Sequence, residues 1–274
     1  MKTIPFIKMH GLGNDYVYLD AFQAETAALI AERDIPALAR RISDRHFGIG
    51  SDGLVLIMPS TCADARMRMF NADGTEAQMC GNAIRCVAKY LYESAVCARK
   101  QLQVETLSGI HMLDLQVTGG VVDNVTVDMG QARINQDLLY IDSRPMPFVS
   151  VNIGNPHAVF FCERIPEEGF LALGERIGTD PHFPKGTNVE FIQVLNDKEL
   201  RMRVWERGTG ETLACGTGAC ASAAAAIWLG KTQNQVTVHL RGGDLNIRRE
   251  SGNSSVFMTG PATEVFRGTY ILED

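Results

Sequence analysis

The sequence predicts a mixed α/β protein built from two pseudo-symmetric halves, each a set of strands wrapped around one central helix. The first observation behind this is an internal repeat. Arg66-Met67-Arg68-Met69-Phe70 recurs 135 residues later as Arg201-Met202-Arg203-Val204-Trp205, and the same ungapped offset sets Glu76 on Glu211, Cys80 on Cys215 and Gly81 on Gly216. Upstream, Asp44-Arg45-His46-Phe47-Gly48-Ile49-Gly50-Ser51-Asp52 resembles Asp180-Pro181-His182-Phe183-Pro184-Lys185-Gly186-Thr187-Asn188, and Gly13-Asn14 resembles Gly154-Asn155. Three blocks in one order, spaced by about half of the 274 residues, mark a duplication. The second observation is the alternation of apolar residues in short runs, and the third is a pair of helices at matched places.

The strands are expected at 65–70, 121–127, 201–205, 236–240 and 256–259, where apolar and polar residues alternate. After Cys80, the residues Ile84, Val87, Ala88 and Leu91 fall at helical spacing and give one buried stripe. After Cys215, residues 219–229 are apolar nearly all round, which predicts a helix in the middle of its domain. Further helices are expected near Asp34-Ile35-Pro36, with Pro36 acceptable in a first turn, and near Pro166-Glu167-Glu168. Gly119-Gly120 is the natural break between the halves. Met9, Met67, Met69 and Met202 fall at core-like positions.

Composition excludes several classes. The chain is 45% hydrophobic and 21% charged, which fits a globular protein and not a disordered, coiled-coil or fibrous one. With 26 Lys and Arg against 32 Asp and Glu the net charge is −6, and no basic run occurs, so no nucleic-acid partner is expected. Nothing at the start reads as a signal peptide, and no stretch of apolar residues is long enough to span a membrane. Seven cysteines without a C-x-x-C spacing argue against a disulfide framework or a structural zinc site, and point to free thiols in the cytoplasm.

Two of those cysteines carry the chemistry. Cys80-Gly81-Asn82 and Cys215-Gly216-Thr217 each stand where a strand and loop give way to a helix, with Asn82 and Thr217 as good cap types. A helix start offers N–H groups that no helical carbonyl can take, together with the positive end of the dipole. A thiol there is expected to have its pKa lowered, and a carboxylate is expected to dock on the N–H groups. If the halves face each other, a substrate carboxylate lies between two helix starts with a thiol on each side. Inverting a stereocentre beside a carboxylate needs this: one thiolate removes a proton from one face and one thiol returns a proton to the other. The pair then titrates as a coupled unit.

Taken singly, a cysteine in a small-residue turn is ordinarily a packing residue, and Cys62, Cys86, Cys97, Cys162 and Cys220 are read that way. His157, after Gly154-Asn155-Pro156, and Glu206-Arg207, before Gly208-Thr209-Gly210, read by themselves as surface-loop residues. His46 and His182 match across the repeat, which reflects fold more than chemistry. Gly208-Thr209-Gly210 does not continue as G-x-G-x-x-G, because Leu213 stands where the third glycine should be, and no P-loop or H-E-x-x-H motif occurs. A Cys/His/Asn acyl-transfer enzyme built on His157 leaves one of the two matched cysteines unexplained.

The landmarks Lys8-Met9-His10-Gly11-Leu12-Gly13-Asn14-Asp15, Asn71-Ala72-Asp73-Gly74-Thr75-Glu76, Met79-Cys80-Gly81-Asn82, Gly154-Asn155-Pro156-His157 and Glu206-Arg207-Gly208-Thr209-Gly210-Glu211-Thr212-Leu213-Ala214-Cys215-Gly216-Thr217-Gly218 together resemble the diaminopimelate epimerase family over nearly the whole chain. The resemblance implies interconversion of LL- and meso-2,6-diaminopimelate in lysine biosynthesis, without pyridoxal phosphate or metal. It implies Cys80 and Cys215 as the acid/base pair, with His157 and Glu206 tuning the thiols. Asn14, Asn71, Asn155, Asn188, Glu206 and Arg207 would bind substrate, as would Gly81, Asn82, Gly216 and Thr217 through their backbones. It also implies a cytoplasmic homodimer. The last residues would return to the first domain, so the halves would be 1–119 with 263–274, and 120–262. Gly53 stands where several relatives place a Gln that helps hold the reacting amine, and Ala83 replaces a common glycine. Proline-racemase-like enzymes share the two-thiol logic and are the alternative, but their first motif carries a His where this chain has Asn82.

Overall fold

The computed structural model describes residues 2–250 and 255–272, which fall into two compact units, Met1–Val127 with Pro261–Asp274, and Asp128–Gly260. In chain order the first contains β1 (Lys2–Gly11), β2 (Asn14–Asp20), α1 (Ala24–Ala31), α2 (Ile35–Ser43), β3 (Gly53–Met58), β4 (Ala65–Asn71), β5 (Glu76–Ala77), α3 (Gly81–Glu93), β6 (Gln101–Thr106), β7 (Gly109–Thr118) and most of β8 (Val121–Gln131). The second contains β9 (Arg133–Ile141), β10 (Arg144–Asn152), β11 (Pro156–Phe161), α4 (Phe170–Gly178), β12 (Asn188–Asn196), β13 (Glu199–Glu206), β14 (Gly210–Glu211), α5 (Gly216–Trp228), β15 (Gln235–Leu240), β16 (Gly243–Arg249) and β17 (Ser255–Gly260). The last strand, β18 (Thr263–Leu272), pairs antiparallel with β1 and so belongs to the first unit. Gly119 and Gly120, both at positive φ, form the turn of the β7–β8 hairpin, and the units divide further on, between Val127 and Asp128.

The duplication is visible in the strand pairing. In the first unit β1–β2 is antiparallel, β2–β3 parallel, β3–β4 and β4–β5 antiparallel, β4–β6 parallel, and β6–β7 and β7–β8 antiparallel. In the second, β10–β11, β11–β12, β12–β13, β13–β14, β13–β15, β15–β16 and β16–β17 repeat that order of senses step for step. β18 lies against β1 as β9 lies against β10. Each parallel step is bridged by a helical segment, α1 with α2 and then α3 in the first unit, and α4 and then α5 in the second, as a parallel connection requires.

α3 and α5 are the central helices. α5 is made almost wholly of small residues, and Ala219 to Ala226 are fully buried against the strands on every side of it. α3 was expected to bury one stripe, yet Arg85 and Lys89 on its other side are buried too. The reason is that both cations are satisfied in place. Arg85 donates to the carbonyls of Gly81 (3.0 Å) and Pro261 (3.1 Å) and to Asn82 Oδ1 (3.0 Å), while Lys89 reaches Glu93 (2.7 Å) and the Val122 carbonyl (2.9 Å). A second layer flanks each sheet. In the first unit Ile30, Leu38 and Ile42 pack on Val17, Leu19, Leu54 and Leu56; in the second, Phe170 and Ile177 pack on Phe160, Phe191 and Trp205.

The helix starts follow local chemistry. Asp34 caps α2 by accepting from the Ala37 N–H (3.1 Å), with Pro36 in the first turn. α4 begins at Phe170, later than Pro166, because Gly169 takes a left-handed φ of 70° and the Pro166 carbonyl is spent on Arg203 (2.9 Å). Asn82 and Thr217 are not the caps of α3 and α5; Cys80 and Cys215 hold those positions in extended backbone, and Asn82 and Thr217 lie inside the first turns. The approach to each cysteine is held by a repeated ion pair. Arg68 grips Glu76 with two hydrogen bonds (2.7 and 3.0 Å), and Arg203 grips Glu211 (2.8 Å), which pins the short strands β5 and β14 just before Cys80 and Cys215. These pairs are partly exposed, so they position the loops more than they stabilise the fold.

Gly53 faces Tyr16 and the backbone of β4. A Cβ there would lie 2.1 Å from the Phe70 carbonyl oxygen and 2.8 Å from the Tyr16 ring, so no side chain fits without moving backbone. Gly53→Gln should therefore destabilise the protein by about 1–3 kcal/mol in urea unfolding, the usual cost of overpacking a core. An unchanged midpoint would show that the β3–β4 pairing yields at this point.

Candidate active site

In the first unit Cys80 is half-buried at the N-cap of α3, and its side chain makes no capping hydrogen bond. Its thiol donates to Asn14 Oδ1 (3.5 Å), on the β1–β2 hairpin. The same oxygen accepts from Asn82 (3.3 Å), and the Asn14 amide nitrogen donates to Asp52 (2.8 Å). Asp52 also accepts from the Asp15 N–H (3.0 Å), and Arg45 bridges Asp15 (2.8 Å) and Asp52 (2.9 Å). Lys8, buried, pairs with Asp15 and donates to the Gly50 carbonyl. Burial raises Asp15, but Arg45 and Lys8 more than offset it and hold the carboxyl below its usual range; burial and the Asp15 charge push Asp52 up. Asn71 pairs across β3–β4 with Gly53, next to Asp52, and its amide donates to Thr75 (3.0 Å).

In the second unit Cys215 caps α5, is buried, and accepts from the Gly218 N–H (3.4 Å). Thr217 Oγ1 lies 3.5 Å from its sulfur and accepts from the Asn155 amide (3.3 Å). Asn155 Oδ1 is 2.9 Å from His157 Nε2, and His157 Nδ1 is 2.6 Å from Glu190. His157 and Glu190 are fully buried, so the surface-loop reading of His157 is corrected: it points inward from β11, across the parallel pair to β12. Glu206 ends β13 and accepts from Thr212; burial raises its carboxyl, and the Thr212 hydroxyl and the nearby Cys215 thiol offset part of that. Asn188 spends both ends of its amide on backbone, donating to the Pro156 carbonyl (2.9 Å) and accepting from the Arg207 N–H (3.0 Å). Arg207 itself is exposed and anchored by one donor to the Lys185 carbonyl (2.9 Å), which leaves most of its fork facing outward.

The expectation that a helix start lowers the thiol fails for Cys215. Burial pushes this thiol well above its usual range, the Glu206 and Glu190 carboxylates push the same way, and Thr217 and the Gly218 N–H recover only part. A dipole's favourable field is set here against loss of water and two nearby carboxylates. Among the remaining cysteines Cys86 and Cys220 are buried packing residues, burial lifting Cys86 to about 11, whereas Cys62 is exposed beside Ser60.

The sequence-predicted residues thus gather around two cysteines. Asn14, Gly81 and Asn82 lie at Cys80; Asn155, His157, Glu206, Gly216 and Thr217 lie at Cys215, with Asn188 and Arg207 one step further out. The equivalences of the repeat hold in space: Asn14 meets Asn82 as Asn155 meets Thr217. Asp52 and Glu190 were missed. Asp52 was readable as the repeat partner of Asn188, but Glu190 sits in an apolar strand and carried no such signal. Among the described residues no group of three or more His, Cys, Asp and Glu side chains is placed to hold a metal ion, and no helix is long and apolar enough to cross a membrane.

A family model described as diaminopimelate epimerase matches residues 6–135 and 149–265. A relative named diaminopimelate epimerase from Desulfitobacterium hafniense is 49% identical over 98% of this chain and 98% of its own length, and another from Moorella thermoacetica is 48% identical over 98% and 99%. Among solved structures, a hydroxyproline epimerase from Agrobacterium vitis superposes with a TM-score of 0.73 at 16% identity, covering 98% of this chain and 91% of that one. A PhzF-family phenazine biosynthesis protein from Bacillus anthracis gives 0.73 at 17%, covering 99% and 100%. At such identities the likeness is one of fold. The repeated strand order, the two N-cap cysteines and the full-length match agree: this chain belongs to the diaminopimelate epimerase family.

Proposed function

We propose that the chain interconverts LL- and meso-2,6-diaminopimelate, with Cys80 and Cys215 as the two acid/base groups. The observation that carries this is the recurrence of one weakly capped helix start, a cysteine followed by Gly and a polar residue and set beside an asparagine, in each of two units with the same strand order. The reaction needs one sulfur for each face of the α-carbon, and it needs donors for a carboxylate whose neighbouring carbon carries developing negative charge. First-turn N–H groups of α3 and α5 supply those donors in surroundings of low polarity, where they act most strongly. The thiolate takes the α-proton; the other thiol returns one from the opposite side; the roles exchange for the reverse reaction. No electron sink enters this scheme, so neither pyridoxal phosphate nor metal is required by it. In the same reading Asn14, Asn71, Asn82, Asn155, Asn188, Glu206 and Arg207 bind substrate, and the enzyme works as a cytoplasmic homodimer. Proton NMR of the purified protein with LL-diaminopimelate and no added cofactor tests the assignment, the expected result being growth of the meso isomer.

Cys80→Ala and Cys215→Ala should each lower epimerisation by at least about 10²–10⁴-fold, the range for a lost general acid or base, with the circular dichroism spectrum unchanged. Near-full activity in either variant would defeat the two-base scheme.

Glu206 raises the Cys215 thiol by its charge, and a thiol raised in this way holds less thiolate at any given pH below its midpoint. Glu206→Gln removes that charge while keeping an acceptor for Thr212. The Cys215 thiolate absorbance, taken as the difference between proteins with and without Cys215→Ala, should then appear at lower pH than in the parent, while turnover falls. A titration that stays in place would show that the carboxylate does not act on this sulfur.

Arg207 presents a planar fork toward solvent, which suits the carboxylate at the far end of a substrate with two amino-acid heads. Binding energy gained there is available to orient the reacting end, so a substrate without the far carboxylate should lose rate as well as affinity. Lysine, which lacks it, should be a very poor substrate, and Arg207→Lys should lower kcat/KM for diaminopimelate. Racemisation of lysine or proline as fast as diaminopimelate would shift the assignment to a broader amino-acid racemase.

A further inference from the structure

We propose that Glu190 is a positioning residue for the Cys215 sulfur, acting through a hydrogen-bond relay of fixed polarity that runs His157, Asn155, Thr217. Glu190 does not touch the sulfur, and nothing in its sequence surroundings singles it out. The proposal rests on the reading of Cys215 as an acid/base group and adds how that sulfur is held.

The polarity follows from which atoms can only accept. His157 Nδ1 and Glu190 Oε1 are 2.6 Å apart, too close for two facing lone pairs, so a proton lies between them. His157 Nε2 is 2.9 Å from Asn155 Oδ1, and a carbonyl oxygen only accepts, so Nε2 also carries a proton. With its oxygen turned to His157, Asn155 must turn its Nδ2 to Thr217 Oγ1, at 3.3 Å. The Thr217 hydroxyl still has its own proton to give, and a Cys215 thiolate can only accept, so in that state the hydroxyl donates to Sγ at 3.5 Å. The thiolate therefore receives two donors, the Thr217 hydroxyl and the Gly218 N–H (3.4 Å). No proton travels along the relay; it fixes directions only.

Glu190 is locked where the relay needs it. It is fully buried on β12, and its Oε1 lies 2.7 Å from where a Cβ on Gly218 would stand, so the first turn of α5 closes directly on it. Its other oxygen, Oε2, is buried with no hydrogen-bond partner. That orphan is costly, and it shows that the site is arranged around the His157 contact and not around satisfying the carboxylate. The charged and titratable groups bearing on the sulfur are Glu206 from β13, Glu190 from β12 and, through Asn155, His157 from β11.

Removing the partner of Nδ1 frees His157 to take either tautomer, and Asn155 to turn either way. Glu190→Met keeps the bulk and removes the partner. Glu190→Gln restores a donor to Nδ1, because turning its amide nitrogen toward His157 leaves only a carbonyl oxygen at the unpartnered Oε2 position. Loss of the Thr217 hydrogen bond should lower kcat about tenfold in Glu190→Met, with most of the loss recovered in Glu190→Gln. A packing role alone would treat the two alike. The second measurement is made without substrate and so stands apart from the identity of the substrate. In the parent, Thr217→Val should move the Cys215 thiolate titration to higher pH; in the Glu190→Met background the same change should move it far less. Equal shifts in both backgrounds, or equal activity in the Met and Gln variants, would overturn the relay. The third needs no variant: nitrogen-15 NMR of the imidazoles in the parent protein should show His157 protonated at Nε2 across the active pH range, and an unprotonated Nε2 would overturn the proposal.

Discussion

Each unit is organised by a helix whose N-terminus is buried. Strands close around α5 because Ala219 to Ala226 offer almost no side chain to hold them off, and around α3 because Arg85 and Lys89 find acceptors inside. Burial removes water from the first-turn N–H groups, which must then find acceptors elsewhere. A Ser or Asp at the N-cap would satisfy them and close the matter. A cysteine satisfies them poorly: Cys80 makes no capping bond, and Cys215 makes one at 3.4 Å. A weak cap costs some stability and leaves anion-binding capacity at the place where a sulfur also stands. In the proposed reaction that is where the substrate carboxylate is held, so the fold's main electrostatic demand and its chemistry meet at one residue type.

Much of this was readable from residue order. The repeat gave the two units, the equal order of strand senses and the matched cysteines, since a duplicated chain keeps its apolar pattern and its turn residues in step. The polar set was readable too, because Asn14 and Asn155, or Asn82 and Thr217, stand at matched places. What could not be read was direction. A helix start favours a thiolate, so Cys215 was expected to be lowered; burial, joined by two carboxylates brought in by β12 and β13, reverses the sign, and both depend on pairing across the sheet. The caps were misplaced by two residues because Asn82 and Thr217 are better cap types than cysteine, yet their side chains are used on Asn14 and Asn155 instead. His157 looked like a loop residue because Gly154 and Pro156 precede it; it is the second residue of a buried parallel strand.

The two halves keep one scaffold and differ in wiring. At Cys80 the neighbouring asparagine turns its oxygen to the sulfur, because Asp52 claims its nitrogen, and the thiol donates. At Cys215 the corresponding asparagine turns its nitrogen toward the helix start, because His157 claims its oxygen, and the sulfur accepts. Which end of an amide is held by the residue behind it therefore sets what that amide turns toward the helix start, an acceptor at Cys80 and a donor at Cys215. Asp52 holds the amide in one unit and His157, backed by Glu190, in the other.

In the proposed reaction this difference has a chemical use. Two identical sulfurs in identical surroundings would have no preference for which holds the proton, and a resting enzyme would be divided between states. Unequal surroundings give the pair a defined resting form, but they also make the two directions of reaction begin from different states. The inequality must then be small on the scale of the barrier, or one direction would stall. The terms at Cys215 are opposed: burial and two carboxylates hold the proton on, while a hydroxyl and a backbone N–H recover part of that. In that reaction, opposed terms of this kind would let a duplicated fold separate acid from base by changing one amide's partner, with the strand order of the two halves left alike.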